Sequence, residues 1–285
     1  MYYCGMNMLV ADSGASKTDW VLLHDGDKQF IQTEGLNPHI VSPSQFLNTL
    51  SKELKPNLMG KSISRIQFYG SGCGSPQKKE NVRSFLREVF PGVKVDVKTD
   101  LDGAGLALFS KRQGIVCILG TGSSAGFFKE NAIDRQMPSL GYPLGDEGSG
   151  SYIGKEILVA YLEGRLHKDL RVYLEEQLKM DLDEIFAQVQ TPEMAKLFVS
   201  RLCKLMSKKS YHPEMQNILD HGFCDFLNKV KEHFPEESAA HQLGFVGSIA
   251  SVYEAELRAC AKQMGLEISS VIRTPIEHIA FHFSR

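Results

Sequence analysis

Apolar positions follow two regimes along the chain. The first half alternates short apolar runs with glycine-rich turns and helical patterns, whereas the second half is dominated by a helical period. Met8–Ala11 reads as a buried strand, Asp12–Asp19 as a polar turn and Trp20–His24 as the returning strand of a hairpin. Ser42 and Pro43 open a helix through Leu54, because serine caps a first turn and proline suits the first helical position. Ile66–Tyr69 is a further strand that ends in Gly70-Ser71-Gly72. Ser75-Pro76 starts a helix with Val82, Phe85, Leu86 and Val89 on one face. Val93–Val97 alternates as a strand and stops at Thr99-Asp100, ahead of a small-residue helix over Gly103–Phe109.

The pattern then restarts. Ile115–Leu119 is an apolar strand, Gly120–Ser124 a glycine turn and Ala125–Phe128 a returning strand. This repeats the form of the first hairpin roughly one hundred residues later, which predicts a duplicated α/β architecture of two lobes facing one another. The boundary falls near residue 111, without a linker. Thr191-Pro192-Glu193 opens a helix, and Met215, Leu219, Phe223, Phe226 and Val230 form one apolar stripe that reads as core. Leu243–Val246 returns to strand, Gly247 turns, and Ser248–Met264 is one helix closed by Gly265.

Composition narrows the classes. The 285 residues are 42% apolar and 23% charged with a formal net charge of -2, so no basic field points to nucleic acid. No apolar run approaches the ~20 residues of a membrane span. The N-terminal MYYCGMN is a poor signal peptide and reads as a lead before a start at Met8. The six cysteines are scattered, with no metal-binding or redox spacing, which suits a reduced, cytoplasmic chain.

Five segments carry candidate chemistry. In Asp12-Ser13-Gly14-Ala15-Ser16-Lys17-Thr18-Asp19, small residues bare backbone N–H groups, a lysine supplies charge and a carboxylate ends a strand. That set suits phosphate with a cation, and it also suits a polar hairpin tip with a solvated lysine. It is not a Walker A loop. Gly120-Thr121-Gly122-Ser123 offers the same donors with little bulk, or a simple tight turn. Asp100, at a strand end, could accept a proton from a hydroxyl nucleophile or cap the following helix. Asp146, in the glycine-rich Leu144–Ser151, is a substrate or metal contact or a helix-capping acid. Gly247-Ser248, after a strand, leaves backbone bare for a nucleotide base or ribose.

In order, these motifs resemble the sugar kinases of the actin/hexokinase/Hsp70 superfamily, and most closely the N-acetylglucosamine kinase branch grouped with the BadF/BadG/BcrA/BcrD ATPases. VADSGASKTDW is similar to its first phosphate loop, TDLDGA to its catalytic aspartate segment and ILGTGSSA to its second phosphate loop. LGDEGSGSYIG resembles its most distinctive stretch and GFVGSIA its adenosine segment. The resemblance implies two ribonuclease-H-like (actin-like ATPase) domains with a cleft between them. The first spans 1–111, completed by 275–285. The second spans 112–274 with a helical insertion at about 165–240.

It further implies ATP and Mg²⁺ as cofactors, with Asp12 organising the metal. Gly14, Ser16, Lys17, Thr18, Gly120, Thr121, Gly122, Ser123, Gly247 and Ser248 would hold the nucleotide. Asp100 would take the proton of the sugar 6-hydroxyl, and Asn37, Thr121, Gly141, Tyr142 and Asp146 would line the sugar site. The expected reaction is phosphorylation of an amino sugar, N-acetylglucosamine first, with N-acetylmuramic acid and glucosamine as alternatives. A homodimer is expected only by analogy. Gly141-Tyr142-Pro143 departs from the family's Gly-Trp-Gly run, and Thr274–His278 lacks its usual glycine. The wider group includes ATPases that drive a partner enzyme, but those resemble iron–sulfur dimers with a Gly-Gln-Asp second loop. Related sugar-sensing repressors add a basic DNA-binding arm, for which there is no room before Met8.

Overall fold

The computed structural model describes residues 7–284, so the reading of Met1–Met6 as a lead lies outside the described residues. The chain divides into two compact units. The first runs to Arg112 and takes in Phe128–Ile133 and the C-terminal stretch from Thr274; the second comprises Gln113–Phe127 and Asp134–Arg273.

The first unit is built on strands β1 (Met8–Ser13), β2 (Lys17–His24) and β3 (Asp27–Glu34), then helix α1 (Pro43–Thr49), β4 (Arg65–Gly70), α2 (Pro76–Val89), β5 (Lys94–Thr99) and α3 (Asp100–Phe109). Its five-stranded sheet has the order β3-β2-β1-β4-β5. β1, β2 and β3 pair antiparallel, while β4 pairs parallel with both β1 and β5. Met8–Ala11 is buried throughout, as a central strand covered on both faces must be. β3 escaped the sequence reading because it is a polar edge strand with a largely exposed face. Trp20 is fully buried, packs on Phe68 and donates its indole N–H to Thr33 at 3.0 Å. Burial of such a ring contributes about 1.5–3 kcal/mol.

The helix expected through Leu54 ends at Thr49. A π turn (Leu50–Leu54) and a 3-10 turn (Lys55–Leu58) follow. Leu50, Leu54 and Leu58 stay buried through the change of winding, and Pro56, lacking an N–H, cannot extend an α-helix. α3 is rich in small residues because it lies close to its neighbours: a Cβ on Gly103 would meet Tyr69 at 2.9 Å, and one on Gly105 would meet Phe128 at 2.2 Å. A C-terminal helix, Ile276–Phe283, packs against α3.

The second unit contains β6 (Gly114–Leu119), most of β7 (Ser123–Lys129) and of β8 (Ala132–Gln136), and helices α4 (Gly150–Leu162), α5 (Lys168–Leu178), α6 (Leu182–Gln188), α7 (Pro192–Leu205), α8 (Pro213–His233) and α9 (Pro235–Ala240). It closes with β9 (Leu243–Val246), α10 (Ser248–Val252), α11 (Glu254–Gln263) and β10 (Ile268–Ile272). The sheet order is β10-β9-β6-β7-β8, with β9 parallel to β6 and to β10. The stripe from Met215 to Val230 is core, as its spacing requires. The single helix expected over Ser248–Met264 is two, broken at Tyr253, whose buried ring donates its hydroxyl to the Cys203 carbonyl. The scattered cysteines are not all free thiols. Cys224 on α8 and Cys260 on α11 are joined as a disulfide with Cα atoms 6.2 Å apart. Among the described residues, no helix is long and apolar enough to cross a membrane.

α4 and α7 cross with almost no space between them. A Cβ on Gly154 would lie 1.8 Å from the Val199 carbonyl oxygen, a backbone atom that cannot swing aside. Gly154→Ala should therefore cost about 1–3 kcal/mol and lower the melting temperature by several degrees. Gly74→Ala, where nothing lies within 4 Å, should stay near wild type in the same calorimetric scan. Equal melting temperatures for the two variants would contradict the packing argument.

Candidate functional site

Parallel pairing sets the geometry of the first unit. Ser13 pairs with Gly70 and Gly70 with Thr99, so β1, β4 and β5 end in one row. That row carries Asp12-Ser13, Ser71 and Thr99-Asp100, at the carboxyl edge where open α/β sheets commonly bind ligands.

The turn after β1 is closed by the Gly14 N–H donating to the Lys17 carbonyl at 3.0 Å. Gly35 presses on it so closely that a Cβ would sit 2.3 Å from the Ala15 carbonyl oxygen. Ser16 is exposed at the tip. Lys17 pairs with Asp19 at 2.6 Å and is half exposed. Thr18 is fully buried, and its hydroxyl meets that of Ser13 at 2.9 Å and donates to the Glu34 carbonyl at 3.1 Å. Thr18 thus fixes the hairpin from within, whereas Ser16 and Lys17 face solvent.

Asp100 is the first residue of α3, but it is not the cap. Thr99 fills that role: its hydroxyl accepts from the Asp102 N–H at 3.1 Å, and the Asp102 carboxylate accepts from the Thr99 N–H at 3.0 Å. The Asp100 carboxylate instead accepts from the Leu101 N–H at 2.9 Å and from the Ser71 hydroxyl. Asn37 donates to the Ser71 oxygen at 3.4 Å and accepts from the His39 N–H at 2.9 Å. Ser71 therefore connects two residues singled out in the sequence, although it was not itself singled out; its place in Gly70-Ser71-Gly72, at a strand end, was the available signal. Gly72 has φ +80°, and a Cβ there would meet Asn37 Oδ1 at 2.3 Å.

Charge accumulates at this edge. Burial, reinforced by the charges of Asp100 and Asp19 and opposed by Lys17, pushes Asp12 up to about 7. Burial also raises Asp100, against the bonds from Leu101 and Ser71. A divalent cation would relieve this repulsion, so the donor set fits Mg²⁺. Among the described residues, no group of three or more His, Cys, Asp or Glu could hold a metal on its own.

In the second unit the loop Gly120–Gly122 is held by a helix. The Gly150 and Ser151 N–H groups, first in α4, donate to the carbonyls of Gly120 (2.9 Å) and Thr121 (3.1 Å). Ser149 caps the third amide, from Tyr152, at 3.2 Å. Gly247, at φ +128°, leaves no room for a Cβ, which would meet the Leu119 carbonyl oxygen at 2.2 Å. Gly247-Ser248 thus abuts the start of the loop. Asp146 reaches the same loop, with Oδ1 accepting from the Ser123 N–H at 3.3 Å and Oδ2 lying about 2.9 Å from a Cβ built on Gly122. Asp146 is not a helix cap, and its φ of +65° marks a constrained turn. Its partner is Lys196 of α7, at 2.8 Å, a residue the sequence reading passed over. Tyr142 is partly buried against the core, beside Gly141 at φ +68°.

No family model matches the chain. Among curated proteins, glucosamine kinase GspK of Vibrio cholerae is 26% identical over 126 residues, which is 43% of this chain and 42% of that protein. The chain thus spans less than half the length of that relative. Among solved structures, a provisionally named N-acetylglucosamine kinase from Porphyromonas gingivalis superimposes with a TM-score of 0.90 at 29% identity, over 97% of this chain and 98% of that one. A ROK family glucokinase from Streptomyces griseus, in complex with glucose and AMPPNP, matches at a TM-score of 0.62 and 10% identity over 98% of both chains. The fold is accordingly the two-domain actin-like ATPase fold. Within it, the resemblance to amino-sugar kinases read from the motifs is the one the comparisons return.

The charge at Asp12 has a measurable consequence. Its folded-state value lies above its unfolded one, so the folded protein holds the proton more tightly. Metal-free protein should lose stability as pH rises from about 4 through about 7. Asp12→Asn should flatten part of that fall in melts recorded across the range. A mutant profile that tracks the wild type at every pH would refute the assignment.

Proposed function

We propose that this protein is an ATP-dependent kinase that transfers the γ-phosphoryl group of ATP to a hydroxyl of an amino sugar, with O6 of N-acetylglucosamine as the preferred acceptor. The observation that carries the reading is Asp100, a carboxylate at a strand end whose capping duty is taken by Thr99. Burial holds its proton affinity above the ordinary carboxylate range, which makes it a better base for a weakly acidic hydroxyl.

In this mechanism Asp100 accepts the hydroxyl proton as the sugar oxygen bonds to the γ-phosphorus, and the bond from that phosphorus to the β–γ bridging oxygen breaks to release ADP. Catalysis is mainly positioning and charge stabilisation. Asn37 orients the sugar and, through Ser71, the base. Ser16 and Lys17 offer donors to phosphate, with Gly14 closing the turn and Thr18 holding it in shape. Gly120, Thr121, Gly122 and Ser123 are assigned to phosphate, and Gly247 and Ser248 to the adenosine. Asp146, Gly141 and Tyr142 are assigned to the sugar. Mg²⁺, held through Asp12, would supply charge neutralisation on the phosphates. A kinase drawing on the cell's ATP belongs in the cytoplasm. Glucosamine is the second reading, favoured by the likeness to the Vibrio cholerae enzyme.

A coupled ADP-release assay across a panel of sugars tests this directly, and N-acetylglucosamine should give the highest kcat/KM. Asp100→Asn should keep ATP affinity while kcat falls by about 10²–10⁴, the usual size of a general-base effect. Unchanged turnover in that variant would remove Asp100 from the mechanism, and ADP release indifferent to every sugar would remove the kinase reading.

A further inference from the structure

We propose that Lys196 is a specificity-determining residue: by occupying the cation position at Asp146, it selects amino sugars with an uncharged, acylated nitrogen over those with a free ammonium. This rests on the reading of Asp146 as a sugar contact.

Asp146 is a buried acid whose side chain is only 3% exposed. A carboxylate in that position needs a cation or several donors, because an unpaired buried charge is costly. Left alone, it would be a ready receptor for the ammonium of a free amino sugar. It is not left alone. Lys196 Nζ lies 2.8 Å from Oδ2, and the Ser123 N–H lies 3.3 Å from Oδ1. The next residue is neutralised in the same way, with Glu147 bound to Lys229 of α8 at 2.5 Å. Both acids of the Asp146-Glu147 pair are thus already matched by lysines of this chain.

What remains available at Asp146 is hydrogen-bond acceptance. Each carboxylate oxygen has a second lone pair, which can take a hydroxyl or an amide N–H. A second ammonium would have to approach within a few ångströms of Lys196 Nζ in a partly buried setting, where like charges repel. An N-acyl nitrogen brings an N–H donor without that charge. The pair is also held firmly. Lys196 stands on α7, which is clamped to α4 at Gly154, and Asp146 precedes α4 in a turn closed by the Ser149 N–H donating to the Asp146 carbonyl at 3.0 Å.

The test compares kcat/KM for N-acetylglucosamine, glucosamine and glucose in the wild type, Lys196→Met and Lys196→Arg, with a thermal melt on each. Wild type should favour N-acetylglucosamine over glucosamine by about tenfold or more, since tenfold corresponds to only about 1.4 kcal/mol of charge interaction. Lys196→Met should move that ratio at least about tenfold towards glucosamine with the neutral sugars much less affected, and Lys196→Arg should keep the preference. A wild type that prefers glucosamine overturns the inference without any variant, even if Lys196→Met does not fold. So does an unmoved ratio in a folded Lys196→Met. A wild type that phosphorylates none of the sugars overturns the kinase reading itself, and this inference with it.

Discussion

Two hydrogen bonds organise the second unit, those from the first amides of α4 to the carbonyls of Gly120 and Thr121. A helix begins with amides that have no partner within the helix, and a glycine turn leaves carbonyls with none. Each solves the other's problem. The arrangement demands small residues: a Cβ on Gly150 would meet the Ser200 hydroxyl at 2.7 Å, and one on Gly148 would meet Phe226 at 3.0 Å. The glycine density of Leu144–Ser151 is therefore a packing requirement first. Its functional effect is to deliver Asp146 to Ser123 with little freedom to move.

The first unit solves a different problem by strand register. Three parallel strand ends in one row place Asp12 and Asp100 close enough for the charge of Asp100 to add to burial in raising Asp12 above ordinary carboxylate behaviour. No sequence-local feature could do this, since the two residues are far apart in the chain. The capping box of Thr99 and Asp102 leaves Asp100 outside its own pair of bonds, so the Asp100 carboxylate takes the Leu101 N–H and still has capacity to accept from Ser71.

Legibility in the sequence followed the range of the interactions. The buried strands β1, β4 and β6 were plain, because continuous apolar runs between glycine turns have few other solutions. The loops at Gly14 and Gly120, and Asp100 at its strand end, were legible for the same reason. β3 was not, because an edge strand exposed on one side carries too few apolar residues to register. The break at Tyr253 was hidden because it depends on the distant carbonyl of Cys203. Lys196 was invisible on principle. On its own helix it is one lysine among surface charges, and its meaning comes only from the crossing of α7 over α4, which brings it to Asp146, fifty residues earlier in the chain.

These differences leave the two units with opposite charge accounts. In the second, each acid near the loop has its own lysine, Lys196 for Asp146 and Lys229 for Glu147, so that unit approaches neutrality there and offers backbone donors and acceptors rather than net charge. In the first, the cation that opposes the rise of Asp12 is Lys17, which is half exposed and already bound to Asp19; its effect is outweighed by burial and by two acids. A site that compensates its own charge recognises ligands by shape and hydrogen bonds, whereas one that does not is completed by a cation from outside. The phosphoryl transfer proposed above would ask for both kinds of environment, a demand for divalent metal beside the proposed base and a neutral, donor-rich surround for uncharged ligand groups. The distribution of lysines, more than of aspartates, separates the two.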